Sequence, residues 1–159
     1  MNAIVFFDKD NIKGVIKFHQ CNNKAPTRIS INLSGFKPNQ THAMHIHEYG
    51  DLTKGCASAG GHYNPFNKKH GNWKIHGKNR HAGDLINNIK SDANGNVVIS
   101  FIDDLVALYG KSNIYGRSLV IHDGIDDLGL GTNADSLITG NAGCRITCGI
   151  IGTAKLQHF

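Results

Sequence analysis

The sequence predicts an all-β fold, an antiparallel sandwich or barrel of about eight strands carrying two long loops. Three observations predict it. Short runs alternate apolar and polar residues with a period of two. Gly reaches 19 residues while Pro stays at 3, which favours glycine turns over Pro-rich disorder. Nowhere does the chain offer an amphipathic helix of ordinary length. A chain of 159 residues is one domain's worth, 1–159, and buries a core without help from a metal.

Ala3 to Phe7 is an apolar run closed by Asp8-Lys9-Asp10-Asn11. Ile12, Gly14, Ile16 and Phe18 then alternate with Lys13, Lys17 and His19, so the first two strands read as a hairpin. Ile29, Ile31 and Leu33 alternate with Arg28, Ser30 and Asn32 as a third strand. Thr41 to His47 alternates again, with His42, Met44 and Ile46 on the core parity and His45 and His47 on the other. Residues 48–83 lose all pattern, a length uncommon in a compact domain unless it is functional. Leu85 to Lys90 and Asn96 to Ile102 flank Asn94-Gly95, which predicts a second hairpin. Ser118 to His122 is a short strand, residues 123–142 form a second long loop, and Arg145 to Lys155 closes the chain.

Composition excludes several functions. The formal charge is +5, but Lys and Arg are scattered singly without interleaved aromatics, which argues against a nucleic-acid partner. No run of apolar residues is long enough to span a membrane, and the amino terminus has no signal-peptide pattern, so no membrane partner is expected. The 4 cysteines, Cys21, Cys56, Cys144 and Cys148, are too few for a disulfide-dense scaffold and contain no C-x-x-C pair.

The stretch from His42 to Asp84 carries seven of the ten histidines. His45 and His47, at i and i+2 on a strand, project from one face as a preformed pair of nitrogen donors. His62, His70, His81 and Asp84 follow in a loop poor in hydrophobes. Three imidazoles and a carboxylate suit a closed tetrahedral zinc site, and imidazole-only coordination with an open position, completed by His122, suits copper. The competing reading is a polar loop that merely contains histidine.

The segments GDLTKGCASAGGHYNP, NKKHG, NRHAGDL, GRSLVIH, DDLGLG and TGNAGCRITCGIIG, in that order, closely resemble the copper/zinc superoxide dismutases of the intracellular eukaryotic type. The resemblance covers nearly the whole chain. It implies a Greek-key β-barrel, a cytoplasmic protein, and dismutation of superoxide to dioxygen and hydrogen peroxide by alternate reduction and oxidation of copper. Copper is expected on His45, His47, His62 and His122, and zinc on His62, His70, His81 and Asp84. His62 is then shared by the two metals and carries a proton in the reduced half of the cycle. Asp126 is expected to join the outer nitrogens of His45 and His70, and Arg145 to hold the incoming anion. The resemblance also implies a Cys56–Cys148 disulfide, leaving Cys21 and Cys144 free, a symmetric homodimer, and a copper-delivering chaperone as a partner. The Asn, Ile and Lys content resembles AT-rich genomes, including dismutase copies in some large DNA viruses, for which the location would be host cytoplasm or virion.

Several positions depart from the family pattern. His70 to His81 is longer than usual and contains Trp73 and an extra imidazole, His76, a possible competitor for zinc. The second loop has Ala134 where an acid is common and Ile138 where a lysine is common, which predicts weaker electrostatic steering. Leu52, Tyr115 and Thr153 occupy the regions of the family's dimer contact. His19 and His158 are expected to face solvent, and His42 to be a hydrogen-bonded structural histidine. Two alternatives compete with the enzyme: a zinc-binding storage protein, and a copper-chaperone-like domain. The second would lack some ligands and add an M-x-C-x-x-C domain, and neither feature is present in the sequence.

Overall fold

In a computed structural model, described for residues 1–9 and 11–155, two antiparallel sheets face one another across an apolar core. His158 lies outside the described residues. The strands are β1 (Asn2–Lys9), β2 (Ile12–His19), β3 (Thr27–Ser34), β4 (Thr41–His47), β5 (Thr53–Cys56), β6 (Asn88–Lys90), β7 (Val97–Asp103), β8 (Ser118–His122), β9 (Arg145–Ile150) and β10 (Gly152–Thr153). One sheet runs β10-β1-β2-β3-β7 and the other β6-β4-β8-β9. The chain crosses repeatedly between them, as in a Greek-key sandwich. Two four-residue helices, α1 (Trp73–His76) and α2 (Ser136–Thr139), sit in the two long loops.

The period-two reading holds where one face meets solvent. Along β3, Thr27, Ile29, Ile31 and Leu33 are buried while Arg28, Asn32 and Ser34 are exposed. Val5, Phe7, Ile16 and Phe18 join them from the first sheet, and Met44, Ile46, Ile89, Leu119 and Ile121 meet them from the second. In β4 and β8 the alternation of burial disappears, because the loops cover the outer face as well. His45 and His47 are therefore enclosed although they point away from the sandwich core.

The expected sandwich of about eight strands is borne out: among the described residues nine strands make up the two sheets, and β5 is a further short strand inside the patternless loop. The chain end splits into β9 and β10 at Ile151, where it leaves β8 and joins β1. One expectation is corrected, that of the predicted hairpin. β6 pairs with β4, whereas β7 pairs with β3, so the turn between them links the two sheets. Asp92 Oδ1 accepts from the N–H groups of Asn94 and Asn96, and only Gly95 takes a positive φ, 76°. A Cβ at Gly95 would lie 2.2 Å from the Phe36 carbonyl oxygen, so glycine is required for this close approach.

Within the described residues a buried ion pair ties the first long loop to the first sheet. Arg80 Nη2 donates to Asp103 Oδ2 at 2.6 Å, and Asp103 Oδ1 accepts from the N–H groups of Leu105 and Val106. The same loop is fastened covalently through Cys56, at the end of β5, to Cys148 on β9, closing a sequence separation of 92 residues. A loop of that size restricts the unfolded chain by about 4 to 5 kcal/mol. Cys148→Ser should therefore lower the stability of the metal-free protein by about that amount. The shift of its denaturant midpoint measures the loss, and an unchanged midpoint contradicts it.

Candidate metal centre

The local fold of β4 and the segment beyond it assembles the histidines. Glu48 N–H donates to Gly61 C=O at 3.0 Å and Tyr63 N–H to Ile46 C=O at 2.8 Å, so residues 61–63 run antiparallel against the end of β4. This bridge sets His62 opposite His47. Gly83 N–H then bonds Tyr63 C=O at 2.9 Å, bringing the 3₁₀ turn Ala82–Asp84 against the same strand end. From the far side, β8 ends on His122, where a register shift in its pairing with β9 sets His122 opposite Arg145. Such an irregularity re-aims side chains at a sheet's edge.

Two groups of four donors result among the described residues, and every member is buried. In the first, His45, His47, His62 and His122 each place a ring nitrogen within 4.8 Å of the others. His47 Nδ1–H donates to Gly60 C=O at 2.9 Å, His122 Nδ1–H to Gly143 C=O at 3.2 Å, and His45 Nε2–H to Asp126 Oδ2 at 2.6 Å. Each bond selects the tautomer and leaves the opposite nitrogen as a bare acceptor. Those three nitrogens, His45 Nδ1, His47 Nε2 and His122 Nε2, are buried and have no hydrogen-bond partner among the described residues. Orphaned acceptors of this kind cost free energy, so three converging on one point fit a cation between them. Burial pushes His47 down to about 2, His62 to about 3 and His122 to about 4, with neighbouring imidazoles adding to the effect. The rings are neutral, the form that ligates a metal.

In the second group, Asp84 Oδ1 lies 3.0 Å from His62 Nδ1, 2.9 Å from His70 Nδ1 and 3.2 Å from His81 Nδ1. His62 Nδ1 and His81 Nδ1 are 3.4 Å apart. Four donors at the corners of a tetrahedron with bonds of about 2.0 to 2.1 Å would be separated by about 3.3 Å, so the set is already close to zinc geometry. Asp84 Oδ2 accepts from the backbone N–H groups of Gly71 and His81, both at 3.0 Å, which turns Oδ1 toward the imidazoles. Burial alone would raise the Asp84 carboxyl, but hydrogen bonds from His62, His70 and His81 hold it well below its ordinary range.

Asp126 joins the groups. Its Oδ2 accepts from His45 Nε2–H, and its Oδ1 from His70 Nε2–H at 2.9 Å. Burial would lower His70, but its bonds to Asp126 and Asp84 win and raise it to about 9. The second long loop reaches this position because residue 140 is glycine. A Cβ there would sit 2.5 Å from both Asp126 Oδ1 and His70 Nε2. Sequence reasoning missed Asn87 and Asn88, which hold Asp126 in turn. Asn87 Nδ2–H donates to Asp126 Oδ2 at 3.2 Å, and Asn88 exchanges bonds with the Asp126 backbone at 2.9 and 3.0 Å. The only trace in the sequence was a pair of polar residues interrupting the run Leu85 to Lys90, just where β6 begins.

Arg145 donates from Nη1 to Cys56 C=O and from Nη2 to Gly60 C=O, both at 2.6 Å. It borders a cavity of about 410 Å³ that also touches His47, His62, His122, Asp135 and Ile138. Guanidinium has five donors, so N–H groups are left for an anion entering that cavity. His76 belongs to neither donor group: it ends α1, and its Nδ1 accepts from Asn72 N–H at 2.8 Å beside the start of that helix. His42 is buried, with Nδ1–H donating to His122 C=O at 2.8 Å. Cys21 and Cys144 are free and exposed.

Comparison with known proteins agrees with this geometry. The family model described as copper/zinc superoxide dismutase matches residues 12–151. "Superoxide dismutase [Cu-Zn] 5" of Dictyostelium discoideum is 47% identical over 156 residues, covering 98% of this chain and 100% of that protein. "Superoxide dismutase [Cu-Zn]" of Paramecium bursaria Chlorella virus 1 is 51% identical over 144 residues, covering 91% of this chain and 74% of that one. The crystal structure of the clock protein EA4 superposes with a TM-score of 0.88 at 39% identity, covering 95% of this chain and 93% of that one. With the fold, the paired donor groups and these similarities in agreement, the chain belongs to the copper/zinc superoxide dismutase family.

Proposed function

We propose that His45, His47, His62 and His122 hold copper, and that His62, His70, His81 and Asp84 hold zinc, in an enzyme that dismutates superoxide to dioxygen and hydrogen peroxide. The observation that carries the assignment is the set of three buried, unpartnered nitrogens on His45, His47 and His122. His62 Nδ1 faces Asp84 in the second group, which leaves Nε2 for the first.

Copper held by these residues would supply one-electron redox chemistry between two superoxide anions. The chain supplies the rest. Arg145, fixed by two carbonyls, presents guanidinium N–H groups to the anion at the cavity edge. His62 Nε2 would hold one proton and pass it to the peroxide product, whose second proton comes from solvent, while Nδ1 stays fixed on the Asp84 side. Asp126 keeps His45 and His70 in one tautomer throughout. A storage protein would need the donors but not a guanidinium aimed into a solvent-reachable cavity beside them.

Superoxide turnover by the copper- and zinc-reconstituted protein decides between these readings. Wild type should exceed free copper clearly, His47→Ala should fall to the level of the free ion, and Arg145→Ala should keep both metals while losing roughly tenfold to a hundredfold, the worth of a charge-assisted hydrogen bond. Wild-type activity no higher than free copper would end the enzyme reading.

Steering is expected to be weak, because the cavity wall carries Ile138 and Asp135 where a cationic side chain could guide the anion. The rate constant should vary by less than about twofold between low and physiological ionic strength, and Ile138→Lys should make it fall more steeply with salt. A steep fall in the wild type would show that the remaining charges steer sufficiently.

We infer a symmetric homodimer. Phe6 and Ile150 are 65% and 48% exposed on a surface they share with Leu52, an apolar patch that a second copy would cover. Tyr115 is half-buried, with its hydroxyl donating to Asn2 C=O at 2.9 Å. Sedimentation at micromolar concentration should find dimers; monomers alone would refute the assignment.

A further inference from the structure

We propose that Cys21 is a peroxide-reacting thiol, with His19 as its proton acceptor and Asn2 as the residue that orients His19. Sequence reading expects a solvent-facing histidine and an unassigned thiol here, but the structure connects them. The β1–β2 register pairs Asn2 with His19. Asn2 is only 5% exposed, and its Oδ1 accepts from His19 Nδ1–H at 2.7 Å. A neutral imidazole carries one N–H, so this bond leaves Nε2 as an acceptor, and Cys21 Sγ lies 3.3 Å from it. Cys21 itself is exposed and open to a small oxidant.

The arrangement is built on rigid backbone. Gln20, between the two residues, is 3% exposed; its Nε2–H donates to Ala25 C=O and its Oε1 accepts from Leu108 N–H, both at 2.7 Å. Its own N–H bonds Met1 C=O at 3.0 Å. Asn22 Oδ1 accepts from the N–H groups of Lys24 and Ala25, closing the turn on the other side of Cys21. A thiol, an imidazole within reach and an amide holding that imidazole form the arrangement of an activated nucleophile. Cys144 provides the contrast: it is exposed too, yet among the described residues no imidazole is hydrogen-bonded to its sulfur.

The chemistry balances with hydrogen peroxide alone. His19 Nε2 takes the thiol proton, and the thiolate sulfur attacks one peroxide oxygen. The S–O bond forms as the O–O bond breaks, and the departing hydroxide recovers the proton from His19 as water. Sulfur gives up two electrons to become a sulfenic acid, and peroxide is reduced. The inference rests on the proposed dismutation only for the source of peroxide, its product.

The test supplies peroxide from outside, so that failure of either reading is seen separately. Metal-loaded protein is exposed to a few equivalents of hydrogen peroxide with a 1,3-diketone that traps sulfenic acid, and labelling of each cysteine is followed by peptide mass spectrometry. Cys21 should label about tenfold or more faster than Cys144, the order expected of a positioned general base. His19→Gln should bring Cys21 to the rate of Cys144, Asn2→Ala should slow it in the same direction, and superoxide turnover should be unchanged in both. Equal labelling of the two cysteines in the wild type, or an undiminished preference in both variants, overturns the proposal. Preferential labelling of Cys21 in a protein without dismutase activity would support the proposal and reject the function above.

Discussion

The centre depends on one constraint: His45, His47, His70 and His122 each have one ring nitrogen committed to a carbonyl or carboxylate, which aims the other. A buried polar atom without a partner costs free energy, so the folded chain spends carbonyls and carboxylates on the outward-facing nitrogens. Gly60 and Gly143 do this for His47 and His122, and Asp126 does it for both His45 and His70. Only after those bonds exist do the opposite nitrogens converge. The two long loops are thereby coupled, since Asp126 comes from one and His70 from the other, and neither donor group has its final geometry without both.

The same economy governs the anion site. Arg145 lies on β9, but both carbonyls that hold it belong to residues 56 and 60, in the loop that Cys56–Cys148 fastens to that strand. Gly60 serves twice, its carbonyl accepting from His47 as well as from Arg145. A displacement of this short loop would move the guanidinium and release His47 Nδ1 together. The disulfide thus acts on the chemistry through position as well as on stability, and Arg80–Asp103 restrains the other end of the loop in a similar way.

Most of the strand pattern was legible because its cause is local. Burial of one face forces a period of two, as in β3, and an i, i+2 pair on a strand must share a face, as His45 and His47 do. The β6–β7 turn was misread because Asn-Gly reports only that the chain reverses, whereas the choice of neighbouring strand is decided by β4 and β3, far away in sequence. For the site, the spacing of histidines reported that a metal was plausible, and family resemblance supplied the partition between two groups. Asn87, Asn88, Arg80 and Asp103 left almost no signal. Their importance comes from being buried and paired across distant segments, and single polar residues look alike in a sequence whether they end in solvent or in a closed network.

Charge balance explains why this cluster can exist before metal enters. Four neutral imidazoles tolerate burial, but two carboxylates, Asp84 and Asp126, do not unless positive charge or hydrogen bonds face them. His70 lies between them and is raised to about 9, so at neutral pH it carries a proton in the metal-free protein. Because its folded value lies above the ordinary 6.5, that proton stabilises the metal-free fold fully below 6.5, and the contribution is lost as pH rises through about 9. The proton on Nδ1 points at Asp84 Oδ1, in the direction a zinc ion would occupy. Metal uptake therefore exchanges one positive charge for a larger one at nearly the same place, with little rearrangement of the carboxylates, and releases a proton in doing so. The Nε2–H bond to Asp126 survives the exchange, so the link to His45 and the first donor group persists in both states.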